Sequence, residues 1–183
     1  MEMTGEHAVP APADHVWKAL TNPEMLKACI PGCDKIEPDG ENAYRMELAA
    51  HVGPVTARFS GKMRMSDIDV ARGYTLRFEG TGGVAGFVNG EAHVTLEPSE
   101  GGSGTTLTYV AKAQVGGKLA QVGSRLIDGA ARRLTDDFFL RLVEEFESTA
   151  PAPAATPARD RRWIVTAVVI VALLGLLYLA VRR

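Results

Sequence analysis

The chain has 183 residues, a formal net charge of −2 and 46% hydrophobic residues, enough for one domain of ordinary size with its own core. The charge is unevenly placed: residues 1–147 hold 15 Lys/Arg against 21 Asp/Glu, whereas residues 148–183 hold five Arg and one Asp. An acidic body argues against a nucleic-acid-binding role, which needs a cationic face on the folded domain.

The N-terminal stretch MEMTGEHAVPAPADH has no basic and apolar run of the secretory kind, so the body is expected to stay in the cytoplasm. A short strand is expected over Met3–Val9. The segment PADHVWKAL then reads as a helix with Asp14 in its first turn, where a carboxylate complements the helix dipole. Next comes ACIPGCDKI, which holds the only two cysteines, Cys29 and Cys33. Pro31 ends a helix there and Gly32 admits a positive φ, so the stretch reads as a helix end and turn. A reducing compartment disfavours a disulfide between them. A metal clip or redox pair is kept as the alternative, although two thiolates without nearby histidines make an incomplete site.

From residue 43 onward the apolar period is two. AYRMELAAHV places Tyr44, Met46 and Leu48 together, and VTARFSGKMRM alternates Val55, Ala57, Phe59, Gly61, Met63 and Met65 with polar residues. YTLRFEG sets Tyr74, Leu76 and Phe78 on one side, GEAHVTLE sets Ala92, Val94 and Leu96, and TTLTYVAKAQV sets Leu107, Tyr109, Ala111, Ala113 and Val115. Turn residues at 38–40, 71–73 and 100–104 punctuate the strands. One-sided alternation through successive hairpins predicts an antiparallel sheet with one wet face. GTGGVAG, 80–86, reads as a flexible inter-strand loop able to gate a pocket; it lacks the following helix that a dinucleotide loop requires.

A long helix is expected from about Lys118 to Glu147, with Leu119, Val122, Leu126, Ala130, Leu134, Phe138 and Leu142 as its stripe and Phe139, Val143 and Phe146 widening it. The order of strand, short helices, run of strands and long helix predicts an α+β domain, with helices on one face of a curved antiparallel sheet. The inner sheet face carries small residues, Ala57, Gly61, Gly80, Gly90, Ala92, Ala111 and Ala113. They leave space for an apolar pocket between helix and sheet, unless Phe59, Phe78, Met63, Met65 and Tyr109 fill it. In the first case Cys29 packs as a small hydrophobe at the pocket mouth.

Beyond the body, residues 148–162 read as a Pro/Ala-rich linker, extended enough to span roughly 45 Å at ~3.1 Å per residue. Trp163–Val181 is a 19-residue stretch without a charge, and as a helix it covers about 28 Å, close to the hydrocarbon thickness of a bilayer. Trp163 and Tyr178 lie near its ends. Arg159, Arg161 and Arg162 precede it, the arrangement of a single-pass anchor with its body on the cytoplasmic side. Catalytic motifs are absent. The four histidines, His7, His15, His51 and His93, show no ligand spacing, and no G-x-S-x-G elbow occurs. Asp67 and Asp69 lie on a wet face near a turn and read as a solvated edge.

The segments PADHVWKALTNPEMLKACIPGC, HVGPVTARFSGKM and GTTLTYVAKAQVGGKLAQVGSRLI, with the late Phe138-Phe139 pair, resemble the G-subunit family of carbon monoxide dehydrogenase, within the START-like, helix-grip superfamily. The resemblance covers Met1–Glu147. It implies a START-like helix-grip fold for residues 1–147, to which the sequence adds one C-terminal transmembrane helix. It implies a non-enzymatic accessory subunit in the bacterial inner membrane that recruits a molybdenum hydroxylase such as carbon monoxide dehydrogenase. It also implies a cavity suited to a respiratory quinone, menaquinone or ubiquinone, drawn from the membrane lipid and quinone pool, with no covalently bound cofactor. The expected ligand contacts are Phe59, Met63, Phe78, Phe87, Tyr109, Leu119, Val122, Leu126 and Ile127, with Tyr109 as the hydroxyl donor to a quinone carbonyl. Two alternatives stand beside this reading: a docking adaptor with a filled core, and a START-like enzyme acting on a lipid.

Overall fold

The computed structural model describes residues 1–99 and 101–149. The remainder of the linker and the expected membrane span, residues 150–183, lie outside the described residues. Among the described residues no helix is long and apolar enough to cross a membrane.

Strand β1 (Glu2–Val9) leads into helices α1 (Ala13–Leu20) and α2 (Pro23–Cys29), followed by β2 (Cys33–Pro38), β3 (Ala43–Val52), β4 (Val55–Asp69), β5 (Gly73–Thr81), β6 (Phe87–Pro98) and β7 (Thr105–Gly116). A single 3₁₀ turn, Gly83–Ala85, joins β5 to β6, and α3 (Lys118–Gln121) and α4 (Ser124–Thr149) close the described chain. All neighbours in the sheet are antiparallel, in the order β1-β7-β6-β5-β4-β3-β2. The first strand thus pairs with the last, and α1 and α2 carry the chain from one sheet edge to the other.

Local chemistry sets the helix ends. Asn22 caps α2, its Oδ1 accepting from the backbone N–H of Glu24 at 2.8 Å and of Met25 at 3.3 Å, and Pro23 sits at the first helical position. The helix ends at Cys29. Gly32 follows with φ +72°, and a Cβ there would collide with the carbonyl oxygen of Ala49, so only glycine fits the turn. The expected long C-terminal helix is two helices. Val122 ends α3, and Gly123, at φ +91°, breaks the backbone before α4 begins. A glycine inside a helix costs about 1 kcal/mol relative to alanine, and here its freedom supplies the bend instead.

The register turns alternation into rows across the inner face. One row reads Tyr44, Met63, Phe78, Gly90, Ala113, and the next reads Met65, Leu76, Ala92, Ala111, Met3. Large side chains therefore lie on β3–β5 and small ones on β6 and β7. The main core gathers at one end of the sheet, where Val9, Val16, Leu20, Leu96, Leu107 and Leu142 are buried with Cys29 and Phe139. Thr105, fully buried there, donates its hydroxyl to the carbonyl of Ala11 at 2.7 Å, so its burial leaves no bare polar group. The C-terminal half of α4 is locked into this core through Phe139 and Leu142.

Candidate functional site

The N-terminal half of α4 meets no comparable packing. Beneath it lies a cavity of about 420 Å³, roofed by Ala131, Leu134, Thr135 and Phe138 and floored by the small residues Ala92, Ala111 and Ala113. Leu26 and Ile30 of the α2 segment and Met63, Leu76 and Phe78 of the sheet form one wall. Pockets of this size hold drug-sized ligands, and a dry cavity of about 150 Å³ accepts benzene. The open arrangement, not the filled one, is the structure's. Glycines shape it by letting rings lie flat against the sheet: the Phe78 ring covers Gly90, and the Tyr109 ring covers Gly5.

Three hydroxyl-bearing residues line the cavity, Tyr74, Tyr109 and Thr135. Thr135 donates to the carbonyl of Ala131 at 3.0 Å and is thereby committed. Tyr74 packs edge-on to Trp17, with ring centroids 5.6 Å apart, and its hydroxyl makes no hydrogen bond among the described residues. Burial, with Tyr44 nearby, pushes the Tyr74 phenol up to about 12, so it stays a proton donor at any physiological pH. Behind Tyr109, His7 stacks on Phe139 at 3.8 Å; burial lowers its pKa, against the pull of Asp136. No carboxylate, imidazole or thiol lines the cavity among the described residues. The site can therefore bind an apolar guest and donate a hydrogen bond to it.

Of the nine expected contacts, the structure brings Met63, Phe78 and Tyr109 to the cavity. Phe59 and Leu119 are buried beside it, in a cluster with Ala50 and Ala85. Phe87 faces outward from the sheet, 48% exposed, and Val88 takes the inward position. The pairing explains this, because Phe87 shares its parity with the solvated Glu91 and His93, and its ring lies over Gly116. Val122 caps α3 away from the cavity. Leu126 lies over Gly53 in a groove between α4 and β3, and Ile127 lies in another groove on the β7 side of α4. The bend at Gly123 places them there, and the lining of α4 starts one turn later, at Ala131.

Cys29 lies in the packed core and does not line the cavity. Burial, with Glu145 nearby and Arg141 opposing, pushes its thiol up to about 11. Cys33 is half-buried, both cysteines are free, and no cluster of His, Cys, Asp and Glu among the described residues is arranged to hold a metal ion. The 80–86 loop is pinned at its base, Gly82 donating to Gly86 at 2.8 Å and Ala85 packing against Phe59, while Val84 at its tip is 84% exposed. A larger concavity of about 1160 Å³ is lined by Lys62, Arg64, Arg77, Glu79, Glu91 and Lys112 among others. Some of its charges pair in solvent, as in Arg77–Glu91 at 2.7 Å, and they alternate in the lining with Tyr44, Met63, Phe78 and Ala113, a mixed surface less suited to an apolar guest.

The family model for the carbon monoxide dehydrogenase G subunit (CoxG) matches residues 5–146. No curated protein matches the chain. Among solved structures, a conserved protein from Geobacillus kaustophilus is 33% identical, with a TM-score of 0.75 over 81% of this chain and 96% of that one. The Zhui aromatase/cyclase from Streptomyces sp. R1128 is 16% identical, with a TM-score of 0.60 over 84% and 98% of the two chains. The protein TTHA0849 from Thermus thermophilus is 18% identical, with a TM-score of 0.55 over 79% and 99%. The last two establish the shared START-like fold alone.

Proposed function

Because the chain belongs to the G-subunit family of carbon monoxide dehydrogenase, we propose that it is a membrane-tethered accessory subunit of a molybdenum-containing carbon monoxide dehydrogenase or related hydroxylase, and that its cavity carries a respiratory quinone. The observation that carries this reading is the apolar cavity of about 420 Å³ with two phenols, Tyr74 and Tyr109, unpartnered among the described residues, in its lining. A quinone ring is flat and apolar and bears carbonyl acceptors, which a phenol that never ionises can engage. A cavity nearly three times the ~150 Å³ that holds benzene has room for a ring head and the start of an isoprenoid tail. It does not enclose a long tail, which has to continue outside.

The tether follows from the uncharged stretch Trp163–Val181 in the sequence. An isoprenoid chain is held in the bilayer by about 0.8 kcal/mol per buried CH₂, so a carrier has to offer an apolar sleeve and stay close to its supply. No carboxylate, imidazole or thiol lines the cavity among the described residues, so neither phenol has a base beside it, which favours a carrier over a lipid-modifying enzyme.

Purification of the full chain from its native membranes, solvent extraction and mass spectrometry test the proposal. We expect a quinone in the extract, reduced several-fold by Tyr74→Phe and abolished by Ala131→Trp. Protein with an intact cavity that yields no quinone, and supports electron transfer to the membrane equally well with Ala131→Trp, overturns the carrier role and leaves recruitment alone.

A further inference from the structure

We propose that one end of the body, built from the turns at 52–55, 81–87 and 116–124, rests directly on an anionic bilayer surface, so that the cavity opens toward lipid. The inference uses the carrier reading for its purpose, but its evidence is separate.

The three turns form one surface. Leu126 lies over Gly53, Gly86 packs against the backbone of Gly117, and Phe59, Ala85 and Leu119 bind the turns together from below. Their sequences are nearly free of charge: Val52–Thr56 and Gly80–Gly90 have none, and Ala113–Ser124 has only Lys118. Apolar side chains stand out of this surface, Val84 at 84% exposure and Phe87 and Leu126 at 48% each. The opposite end also exposes Ile68 and Val70, but there they stand among Glu41, Asp67, Asp69 and Glu97, all exposed. An apolar patch at one end of an acidic body marks a contact site.

The surrounding charges choose the partner. Lys118 and Arg125 lie within the patch and Arg132 and Arg133 follow one to two turns along α4, all exposed. None has an ion-pair partner among the described residues, although Asp128, Asp136 and Asp137 share this stretch of helix, whereas most cations on the sheet are paired. Exposed hydrophobes fringed by free cations match an anionic lipid interface, where each Lys or Arg near the surface strengthens binding by about fivefold. Residues of the cavity lining reach this side of the body. The groove on the β7 side of α4 shares Met1 and Ala113 with the cavity, the groove on the β3 side shares Leu134, and Gly129 between them faces open space. Tyr74, one of two cavity phenols without a hydrogen bond among the described residues, lies toward the packed end. A guest whose ring reaches Tyr74 therefore trails its tail toward the apolar turns.

Tryptophan quenching tests this on the full chain reconstituted in phosphatidylcholine–phosphatidylglycerol vesicles with brominated acyl chains. The reporters are Val84→Trp at the apolar end and Val70→Trp at the acidic end, both read as the difference from the unsubstituted protein. We expect quenching several-fold stronger at position 84 than at 70, lost on Arg125→Glu with Arg132→Glu or in vesicles of phosphatidylcholine alone. Equal quenching at the two positions, or none at 84, overturns the proposal. So does a reporter at 84 that is shielded from lipid by a second copy or a protein partner, detected by cross-linking through that position. The outcome is independent of quinone recovery: quenching at 84 without extracted quinone removes the carrier reading alone, and extracted quinone without quenching removes this surface alone.

Discussion

The two halves of α4 rest on the same sheet and meet opposite fates. Around its C-terminal half, the facing residues are Val9, Leu96 and Leu107, and they close on Phe139 and Leu142 with almost no exposure. Under its N-terminal half the facing residues are Ala92, Ala111 and Ala113, and a cavity remains. Strand alternation is unbroken along the whole face, so backbone geometry is not the cause. Side-chain volume is. Two residue pairs of one β-ladder differ by several methylene groups, and that decides between a core and a site. The stability of the body thus rests on one half of the helix, and its binding capacity on the other.

The largest effect expected from this division is at Leu142, only 1% exposed. Leu142→Ala removes buried methylenes in the packed half and is expected to destabilise the body by ~2–5 kcal/mol. Urea unfolding measures it, and a loss below ~1 kcal/mol would show that the packed half collapses around the gap. The matching change in the hollow half is Ala111→Leu. Adding methylenes to a filled core costs ~1–3 kcal/mol, but here they enter empty space, so the expected change is under about 1 kcal/mol. Quinone recovery should fall with little loss of stability. A destabilisation as large as that of Leu142→Ala would erase the distinction between the halves.

Much of this was legible in the chain. Parity along β3–β7 assigned the inner face correctly, from Tyr44 and Met63 to Leu107 and Tyr109, because a strand has only two faces and polar residues mark one of them. The same parity was the available signal at Phe87, where ring size suggests a ligand contact and the odd register with Glu91 and His93 points outward. The helix was less legible. Its apolar stripe is two residues wide at several turns, Leu126-Ile127, Ala130-Ala131 and Phe138-Phe139, and periodicity alone does not say which member faces in. Gly123 adds a break whose angle depends on tertiary packing, and it separates Val122 and Leu126 from the lining. The small residues announced a space and Tyr109 was legible as a donor, but Tyr74 as a second phenol unpartnered among the described residues, and Thr135 as a committed hydroxyl, emerge only from the packing.

The smallest effect expected lies at the boundary of the halves, where His7 stacks on Phe139 and faces Tyr109 at 6.1 Å. Burial lowers its pKa from the ordinary 6.5, with Asp136 opposing. Between the lowered folded value and 6.5 the unfolded chain binds more protons than the folded one, so stability falls as pH drops through that window and is restored above it. His7→Phe keeps the stack and removes the proton, and should flatten the difference between unfolding midpoints measured just above 6.5 and a unit or more below it. Because the ring is only partly buried, the slope is shallow. An unchanged slope in the variant would place the sensitivity in other groups and show that protonated His7 is tolerated on the face of Phe139, leaving the edge of the cavity indifferent to acid.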